Sequence, residues 1–323
     1  MAEKSIFEKS DRKPRILVVG SMNMDLCMYG ITRLPGWGES SFSTEYCYAA
    51  GGKGANQALA CSRLGAETYM VGRIGRDDNG SGLIESLDEG GVNTEYVVRD
   101  PVLNTGLSTM NMGIDGRYFS FYVQGANTAL CPEDVERALA DISPDMIVMQ
   151  LEMPESVILR ICEIGREKHI PVFLDAGPAQ AFPLEQLNGA FIISPNEAET
   201  AALTGIEPLD PDSMEAAADR IYRMARPAYV LLKVGSRGAY LYSEKVKKLI
   251  PGFTVEAVDT TAAGDTFGAA FCVRYCRGTP LEEAIRYAHA AAAICVTRKG
   301  GQPSIPSLEE TEQFWRANRP SEE

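Results

Sequence analysis

The sequence lacks the features of membrane, secreted and nucleic-acid-binding proteins. No apolar run approaches the ~18 residues of a membrane span, and residues 1–15 are charged, without the apolar stretch of a signal peptide. We expect residues 1–14 to form a disordered N-terminal extension. The net charge of −13 and the pI near 4.8 argue against nucleic acid or an anionic membrane as a partner. Any phosphate group must therefore be bound locally, by backbone amides and a few cations.

Cysteine pairs and the common phosphate-binding signatures are also missing. The eight cysteines form no CxxC pair and show no zinc-finger spacing, so the simplest interpretation is a cytoplasmic protein with free, mostly buried thiols. The sequence contains neither GxxxxGKS nor GxxxxGKT, and the segment VGSM at 19–22 lacks the GxGxxG of dinucleotide-binding proteins. These absences remove the two commonest routes to a phosphate site and disfavour an NAD-linked oxidoreductase.

Short apolar segments alternate with helical patterns along the chain. Strand patterns occur at 15–20, 146–151, 172–175, 191–194 and 229–234, with amphipathic stretches at 154–168 and 212–225. This alternation predicts an α/β fold of three layers, in which a mostly parallel sheet is flanked by helices. Ligands of such sheets bind beyond the carboxyl ends of the strands. The polar residues that follow predicted strands are Asn23, Asp25, Glu152, Asp175 and Asn196.

Two stretches depart from this pattern and predict a small β-sheet lid. Residues 105–123 read as two strands joined at Asp115-Gly116, a dipeptide suited to a type I′ turn, and residues 26–49 supply further strand. The lid would cover the site or contact a second subunit. Because nothing in the sequence resembles a flexible linker or a repeat, we expect a single domain over residues 15–315.

Two glycine-rich or small-residue loops lead into apolar helices, at 51–57 (GGKGANQ) and 259–265 (DTTAAGD). Such a junction directs unpaired backbone N–H groups and the positive helix end toward an anion. In the first loop, Lys53 and Asn56 can donate to hydroxyl or phosphate groups. The alternative is a glycine turn that only lets the helix pack closely on the sheet.

The second loop has little side-chain bulk, so a phosphate group can approach its amides closely. Asp265 follows at the start of the helix, where a carboxylate could accept the proton of a sugar hydroxyl during phosphoryl transfer. The alternative is that Asp265 merely caps or complements the helix N-terminus.

At these motifs the chain resembles the PfkB family of ribokinase-like carbohydrate kinases. The matching segments are GGKGANQA at 51–58, PNEAE at 195–199, GSRG at 235–238, DTTAAGDTF at 259–267 and VTRKGGQPS at 296–304. The resemblance covers about residues 15–315 and implies a ribokinase-like fold. It also implies ATP-dependent phosphorylation of the 5-hydroxyl of D-ribose, giving D-ribose 5-phosphate and ADP. The implied cofactors are ATP, Mg²⁺ and K⁺, and the implied assembly is a homodimer formed through the β-lids.

The resemblance assigns a role to individual residues. Asp265 matches the catalytic base, and Ala262, Ala263 and Gly264 match the anion hole for the transferred phosphate. The positions that match sugar contacts are Asn23, Asp25, Gly52, Lys53, Gly54, Ala55, Asn56 and Glu152. Carboxylates and amides suit this task because they exchange hydrogen bonds with neighbouring hydroxyl groups.

On the nucleotide side, the matching positions are Asn196, Lys233, Gly235, Ser236, Gly238, Gly264, Asp265 and His289, with His289 expected only to pack against adenine. Glu199 matches the residue that holds Mg²⁺ through water, although Asn196 and Glu199 also fit an ordinary helix capping box. The positions that match the potassium site are Asp259, Thr261, Cys295, Arg298, Gly300 and Ser304, several of them through backbone carbonyls.

Two departures from the family pattern leave the acceptor open. The lid segment LSTMNM at 107–112 is more polar and richer in methionine than a small aliphatic lid, and Gly268 stands where many relatives have Asn, which should loosen the helix start. The acceptor could therefore be 2-deoxyribose, another furanose or a nucleoside. A non-catalytic sugar-binding or nucleotide-binding relative is the alternative of a different class, and Asp265 argues against it.

Overall fold

The structure is a computed structural model that describes residues 4–114 and 117–319. The described strands are β1 (Arg15–Val19), β2 (Asn23–Ile31), β3 (Glu45–Gly51), β4 (Glu67–Gly75), β5 (Val97–Asp100), β6 (Gly106–Gly113), β7 (Tyr118–Val123), β8 (Met146–Gln150), β9 (Val172–Asp175), β10 (Ile192–Ser194), β11 (Tyr229–Lys233), β12 (Ala239–Tyr242) and β13 (Lys247–Ile250). The described α-helices are α1 (Lys53–Arg63), α2 (Asp78–Glu89), α3 (Pro132–Asp141), α4 (Glu155–Lys168), α5 (Glu197–Thr204), α6 (Pro211–Ala225), α7 (Ala263–Cys276), α8 (Leu281–Val296) and α9 (Leu308–Asn318). Short 3-10 turns lie at Gly125–Ala129, Leu184–Leu187, Gly235–Arg237 and Gln302–Ser304.

The large sheet has nine strands in the order β13-β12-β11-β10-β9-β8-β1-β4-β5. Its pairs are parallel from β11 to β5, whereas β12 and β13 add an antiparallel edge. The five strands predicted from apolar runs correspond to β1, β8, β9, β10 and β11. The prediction of a mostly parallel α/β sheet flanked by helices is therefore confirmed.

Helices cover both faces of this sheet, which explains why its central strands carry apolar residues at consecutive positions, not only at alternate ones. Ile16 and Val18 of β1 point into a core shared with α1, α7 and α8, while Leu17 and Val19 point into a second core shared with α3, α4 and α6. Side chains alternate between the faces of a strand, so each central strand contributes to both cores. The result is the three-layer arrangement expected from the sequence.

The small sheet has four strands in the order β3-β2-β6-β7. It is antiparallel except for the parallel pair β2–β6. These strands lie within the segments predicted to form the lid, apart from the start of β2 and the end of β3, and the predicted turn at Asp115-Gly116 lies outside the described residues. Asn23 of β2 pairs with Gly51 and Gly106 at one end of the small sheet, which we call its root. Because β2 begins only a few residues after β1, this root lies at the carboxyl end of the large sheet.

The described part of the N-terminal segment, residues 4–14, has no helix or strand. Ser5 Oγ nevertheless donates to the carbonyl of Tyr275 at 2.9 Å, and the Phe7 ring contacts the Tyr275 ring edge-on with centroids 5.9 Å apart. These contacts attach the segment to α7, and its disorder in solution stays a prediction. Within the described residues, no helix combines the length and the apolar character needed to cross a membrane.

Candidate functional site

A cleft of about 630 Å³ opens at the carboxyl edge of the large sheet. Its walls bring together residues that lie far apart in sequence, including Lys53, Asn196, Glu199, Lys233, Gly235, Ser236, Gly238, Ala262, Ala263, Gly264, Asp265 and His289. Most of the positions predicted for nucleotide and phosphate binding therefore share one surface. The topology explains this convergence, since parallel strands end at the same edge of their sheet.

The glycines of the first loop are required by close packing. Gly52 precedes α1 with φ of 88°, and a Cβ there would lie 2.6 Å from the backbone nitrogen of Asn23. A Cβ on Gly54 would lie 2.6 Å from the carbonyl carbon of Gly20. The packing interpretation thus accounts for both glycines, while Lys53 and Asn56 on the same loop and helix extend their side chains toward α7.

The second loop ends in a left-handed residue that begins α7. Ala262 has φ of 61°, a conformation that costs a non-glycine residue about 1–2 kcal/mol. The Ala263 N–H donates to the carbonyl of Thr260 at 3.2 Å, and the following N–H groups of Gly264 and Asp265 belong to the first helical turn, where no helical acceptor is available. The buried side chains of α7 fix this turn, so its amides are rigidly held donors at the cleft wall.

Asp265 is buried and is bound by α1 instead of capping its own helix. Its carboxylate accepts hydrogen bonds from Asn56 Nδ2 at 3.0 Å and from Gln57 Nε2 at 3.3 Å, and Lys53 Nζ lies 3.8 Å away. Burial raises the pKa of Asp265, Lys53 opposes the rise, and the neighbouring carboxylate of Asp175 adds to it. Asn56 Oδ1 is a buried acceptor without a hydrogen-bond partner in the described protein. The arrangement holds a carboxylate and a free amide oxygen side by side.

A buried charge network surrounds Asp265. Asp175 is fully buried, forms an ion pair with Lys233, and lies 3.7 Å from Lys53 Nζ. Glu199 lies 4.0 Å from both ammonium groups. Burial alone would lower the pKa of Lys53, but the surrounding carboxylates raise it above its ordinary value, so this lysine is charged.

The sequence analysis gave no role to three members of this network. Asp175 was noted only as a polar residue after a strand, and Gln57 and Gln150 were not singled out. Gln150 Nε2 donates to Gln57 Oε1 at 2.6 Å, and Gln57 Nε2 donates to Asp175 at 2.9 Å. The available signal was a polar residue ending or following a buried run, as at the ends of β8 and β9.

The predicted sugar contacts at the root of the small sheet are held by hydroxyl and amide donors. The hydroxyl of Ser108 donates to Asp25, and the hydroxyl of Ser21 donates to Glu152. Burial raises the pKa of Asp25 to about 6, against the hydrogen bond from Ser108, and the nearby charges of Glu152 and Asp265 add to the rise.

Asn127 was also missed by the sequence analysis. Its Nδ2 donates to Asn23 Oδ1 at 2.8 Å, and its Oδ1 accepts the N–H of Met22 at 2.9 Å. It therefore fixes the chain between β1 and β2. Because it comes from the 3-10 turn after β7, no local pattern connects it to Asn23.

The structural alternative at Asn196 and Glu199 is present, whereas their role on the nucleotide side stays a prediction. Asn196 and Glu199 form a reciprocal capping box at α5, with N–H to oxygen distances of 2.9 and 2.7 Å. Their side chains nonetheless line the cleft. His289 packs on Phe267 with ring centroids 5.0 Å apart, and burial lowers its pKa to about 4, so the ring is neutral. A neutral, packed imidazole fits a wall for adenine better than a catalytic role.

The six residues predicted for the potassium site connect two loops behind α7. Asp259 Oδ1 accepts the N–H and the hydroxyl of Thr261 at 2.9 and 2.7 Å, and its Oδ2 accepts the N–H of Gly300 at 2.9 Å. Cys295 Sγ lies 3.0 Å from Ser304 Oγ. The side chain of Arg298 instead pairs with Glu310 on α9, which leaves its backbone for any role at this site.

Potassium binding at these residues stays a prediction, although Asp259 supplies a carboxylate there. Burial would raise the pKa of Asp259, but hydrogen bonds from Thr261 and Gly300 lower it, so the carboxylate is charged. Carboxylate and carbonyl oxygens are hard ligands. Across residues 4–114 and 117–319, no group of three or more His, Cys, Asp or Glu side chains has the geometry of a metal site.

Comparison with known proteins places this geometry in a family context. The sequence matches the family described as pfkB family carbohydrate kinase over residues 13–308. It is 36% identical over 301 residues to the ribokinase of Bacillus subtilis, which covers 93% of this chain and 98% of the relative. It is 32% identical over 310 residues to the deoxyribokinase of Salmonella typhi, which covers 94% of this chain and 99% of that protein. The structure of Arabidopsis thaliana ribokinase complexed with ribose and ATP is 33% identical, with a TM-score of 0.84 over 94% of this chain and 99% of its own.

Proposed function

The chain belongs to the pfkB family of carbohydrate kinases, and we propose that it transfers the γ-phosphoryl group of ATP to the 5-hydroxyl of D-ribose. The observation that carries the proposal is the Asp265 carboxylate, buried in the first turn of α7 beside Asn56 and Lys53. Full-length similarity to ribokinases supports D-ribose as the acceptor. The products are D-ribose 5-phosphate and ADP.

Asp265 is the proton acceptor in this proposal. Its raised pKa, caused by burial, makes the ionised carboxylate a stronger base than an exposed one. The N–H groups of Gly264 and Asp265, in the first turn of α7 at the cleft wall, would stabilise charge on the transferred phosphate, and the loop residues Ala262 and Ala263 complete the proposed anion hole. Because phosphoryl transfer asks mainly for positioning and charge neutralisation, these two elements and Lys53 supply most of what the reaction needs.

The sugar is proposed to bind between α1 and the root of the small sheet. Its contacts are Asn23, Asp25, Gly52, Lys53, Gly54, Ala55, Asn56 and Glu152. The unpaired Asn56 Oδ1 supports this placement, since a buried acceptor without a partner is costly until a hydroxyl group donates to it. Within the part of the chain that the structure describes, Ser108 and Ser21 each occupy one carboxylate oxygen of Asp25 and Glu152, which leaves the second oxygen of each for further hydroxyl groups.

The nucleotide is proposed to occupy the main cleft along Asn196, Lys233, Gly235, Ser236 and Gly238, with His289 against adenine. Glu199 would hold Mg²⁺ through water, and that ion would neutralise phosphate oxygens. Asp259 and the carbonyls of its two loops would hold K⁺, whose charge would fix the backbone that leads into α7.

2-Deoxyribose is a second candidate acceptor. The polar, methionine-containing strand β6 contributes Ser108 to the Asp25 carboxylate, and a deoxyribokinase is among the relatives. 2-Deoxyribose lacks one hydroxyl group, so it would leave one buried polar partner unpaired if the site is built for ribose. The same assay distinguishes D-ribose from another furanose or a nucleoside as the acceptor. It also distinguishes catalysis from binding alone.

We also propose a cytoplasmic homodimer that forms through the small sheet. The cysteines are free, and five of the eight are buried, as expected of a protein in a reducing compartment. The outer face of the small sheet is the face opposite Asp25 and Ser108. It exposes large apolar side chains, including Tyr46, Tyr48, Phe121 and Val123. Such a patch is typical of an interface.

An ADP-release assay with D-ribose, 2-deoxyribose, fructose and adenosine tests the proposed function. We expect the highest kcat/KM with D-ribose, and saturable ribose binding without ADP release would contradict the kinase proposal. Asp265→Asn should lower kcat by about 10²–10⁴-fold while sparing ribose binding, because only proton transfer is lost. Asp212→Asn, on the exposed first turn of α6, is the matched control and should keep the wild-type rate.

A further inference from the structure

Asp175 lies at the centre of the site, although the proposed reaction gives it no role. Its side chain, at the end of β9, is completely buried. Lys233 forms an ion pair with one carboxylate oxygen, and the other oxygen accepts a hydrogen bond from Gln57 Nε2 at 2.9 Å and lies 3.7 Å from Lys53 Nζ. A buried charge with this many partners is costly to maintain unless they are all present.

The same partners connect Asp175 to Asp265. Lys53 Nζ is nearly equidistant from the two carboxylates, at 3.7 and 3.8 Å. Gln57 Nε2 donates to both. The two acids therefore compete for one ammonium group and one amide.

Lys233 completes this connection from the other side. It leaves the end of β11, passes the end of β10, and reaches Asp175 on β9, so two strands that are not neighbours are joined by the ion pair. A Cβ on Gly264 would lie 3.6 Å from Lys233 Nζ. Lys233 is thus close to the first turn of α7, and its ammonium group would be drawn toward Asp265 if Asp175 carried no charge.

We propose that Asp175 is a positioning residue, which holds the ammonium groups of Lys53 and Lys233 back from Asp265 and so preserves the basicity of that carboxylate. The inference deepens the proposed function, because it takes Asp265 as the proton acceptor. The ionisable groups that interact with Asp265 include Lys53 on α1, Asp175 on β9, Lys233 on β11, Asp25 on β2 and the Cys295 thiol on α8, and Glu199 on α5 lies against the two lysines.

The balance of buried charge gives the direction of the expected effects. Around the two lysines stand three carboxylates, those of Asp175, Glu199 and Asp265, so one negative charge is in excess. Removing the charge of Asp175 cancels this excess and should lower the pKa of Asp265. Removing the charge of Lys233 enlarges the excess and should raise it. Removing both restores the original excess.

The test has two readouts. Carboxyl ¹³C NMR monitors the titration of Asp265 in the ligand-free full chain and gives its pKa, and the pH dependence of kcat/KM gives the midpoint of the acidic limb. Asp175→Asn should shift the pKa and the midpoint to lower pH by about one to two units, and Lys233→Met should shift them to higher pH by a similar amount. The double variant should return close to wild type. Lys247→Met removes an exposed lysine that pairs with Glu215 on the surface, and should shift neither.

Each outcome decides the proposal. Equal losses of activity with unchanged pH dependence would indicate a merely structural role and overturn it, as would shifts of the two single variants in the same direction. If circular dichroism shows that Asp175→Asn does not fold, Lys233→Met decides alone, and the absence of an upward shift overturns the proposal. Wild-type protein without kinase activity would instead contradict the proposed function, while the NMR titration would still report on Asp175.

Discussion

A single residue, Asp25, makes the charge of the proposed sugar site depend on pH. Burial raises the pKa of its carboxyl group from 3.8 to about 6. Between these pH values the unfolded chain releases the proton while the folded protein keeps it, so folding stability falls as pH rises through this window. Above about pH 6 the folded protein carries the cost of a buried charge, which the proposed function uses as an acceptor for sugar hydroxyl groups.

Asp25→Asn should therefore separate stability from binding. At pH 7 we expect the free energy of unfolding to rise by about 1–3 kcal/mol, because the buried charge is removed. Ribose affinity should fall, and its increase from about pH 5 to about pH 7 should disappear. Urea unfolding and calorimetric titration with ribose measure the two effects. A pH dependence of binding that survives the substitution would show that another group is responsible.

Among the helices, two glycines differ in the space available for a Cβ atom. Gly268 stands where the sequence predicts a loosened start of α7, but the structure gives it a packing function: a Cβ there would lie 2.9 Å from Cε1 of the buried Phe173. Gly82 on α2 has only Met24 near its Cβ position, at an ordinary contact of 3.5 Å.

Gly268→Ala should therefore destabilise the protein by about 1–3 kcal/mol, because the added methyl group overpacks the contact between α7 and β9. Gly82→Ala, the matched control, should stabilise it by up to about 1 kcal/mol, because alanine favours a helix. Chemical denaturation measures both. Equal effects of the two substitutions would contradict the packing function of Gly268.

The loop that precedes α7 is tied to a second loop, so an ion bound there would act on the anion hole. Val258 and Asp259 both donate their N–H groups to the carbonyl of Val296, and Asp259 also holds Gly300. If K⁺ binds at Asp259, it fixes the backbone only a few residues before Ala262. We expect kcat to be about fivefold or more higher in K⁺ than in Na⁺ at equal ionic strength. Asp259→Asn should lose this preference, whereas an enzyme indifferent to K⁺ would contradict the proposed site.

Whole-molecule comparison shows which parts of the fold could be predicted from sequence. The strands β1, β8, β9, β10 and β11 were predicted because each is a continuous apolar run, and burial on both faces demands that pattern. The convergence of polar residues at one sheet edge followed from parallel topology alone. Segments of the small sheet were also predicted, although its parallel pair β2–β6 was not.

Interactions between distant segments could not be predicted in this way. The pair Asp175–Lys233 joins two strands separated by β10, and Asn127 meets Asn23 only because a turn after β7 returns to the start of β2. Such contacts depend on the assembled topology and leave no periodic signal. The predicted roles of the individual site residues stay predictions, although the structure brings the positions predicted for nucleotide and phosphate binding to one cleft.

The outer face of the small sheet is the basis for a prediction about the oligomeric state of the whole molecule. Strand register places Tyr48, Leu26, Thr109 and Phe121 in one row across the sheet, and cross-strand partners share a face. The opposite face carries Asp25 and its partner Ser108, so it belongs to the proposed site. Near the root, Met24 contacts α2, whereas Tyr48 and Phe121 farther out are 60% and 66% exposed.

We therefore expect a homodimer in which this apolar row meets its copy and closes over two sites. Phe121→Asp places a charge at the β7 end of the row and should convert the dimer to a monomer, because an unpaired charge at an interface costs several kcal/mol. Leu209→Asp replaces a similarly exposed side chain between α5 and α6, and should leave the dimer intact. Analytical ultracentrifugation measures the mass of each species. A wild-type protein that sediments as a monomer, or a Phe121→Asp variant that remains dimeric, would show that the exposed row is not the interface.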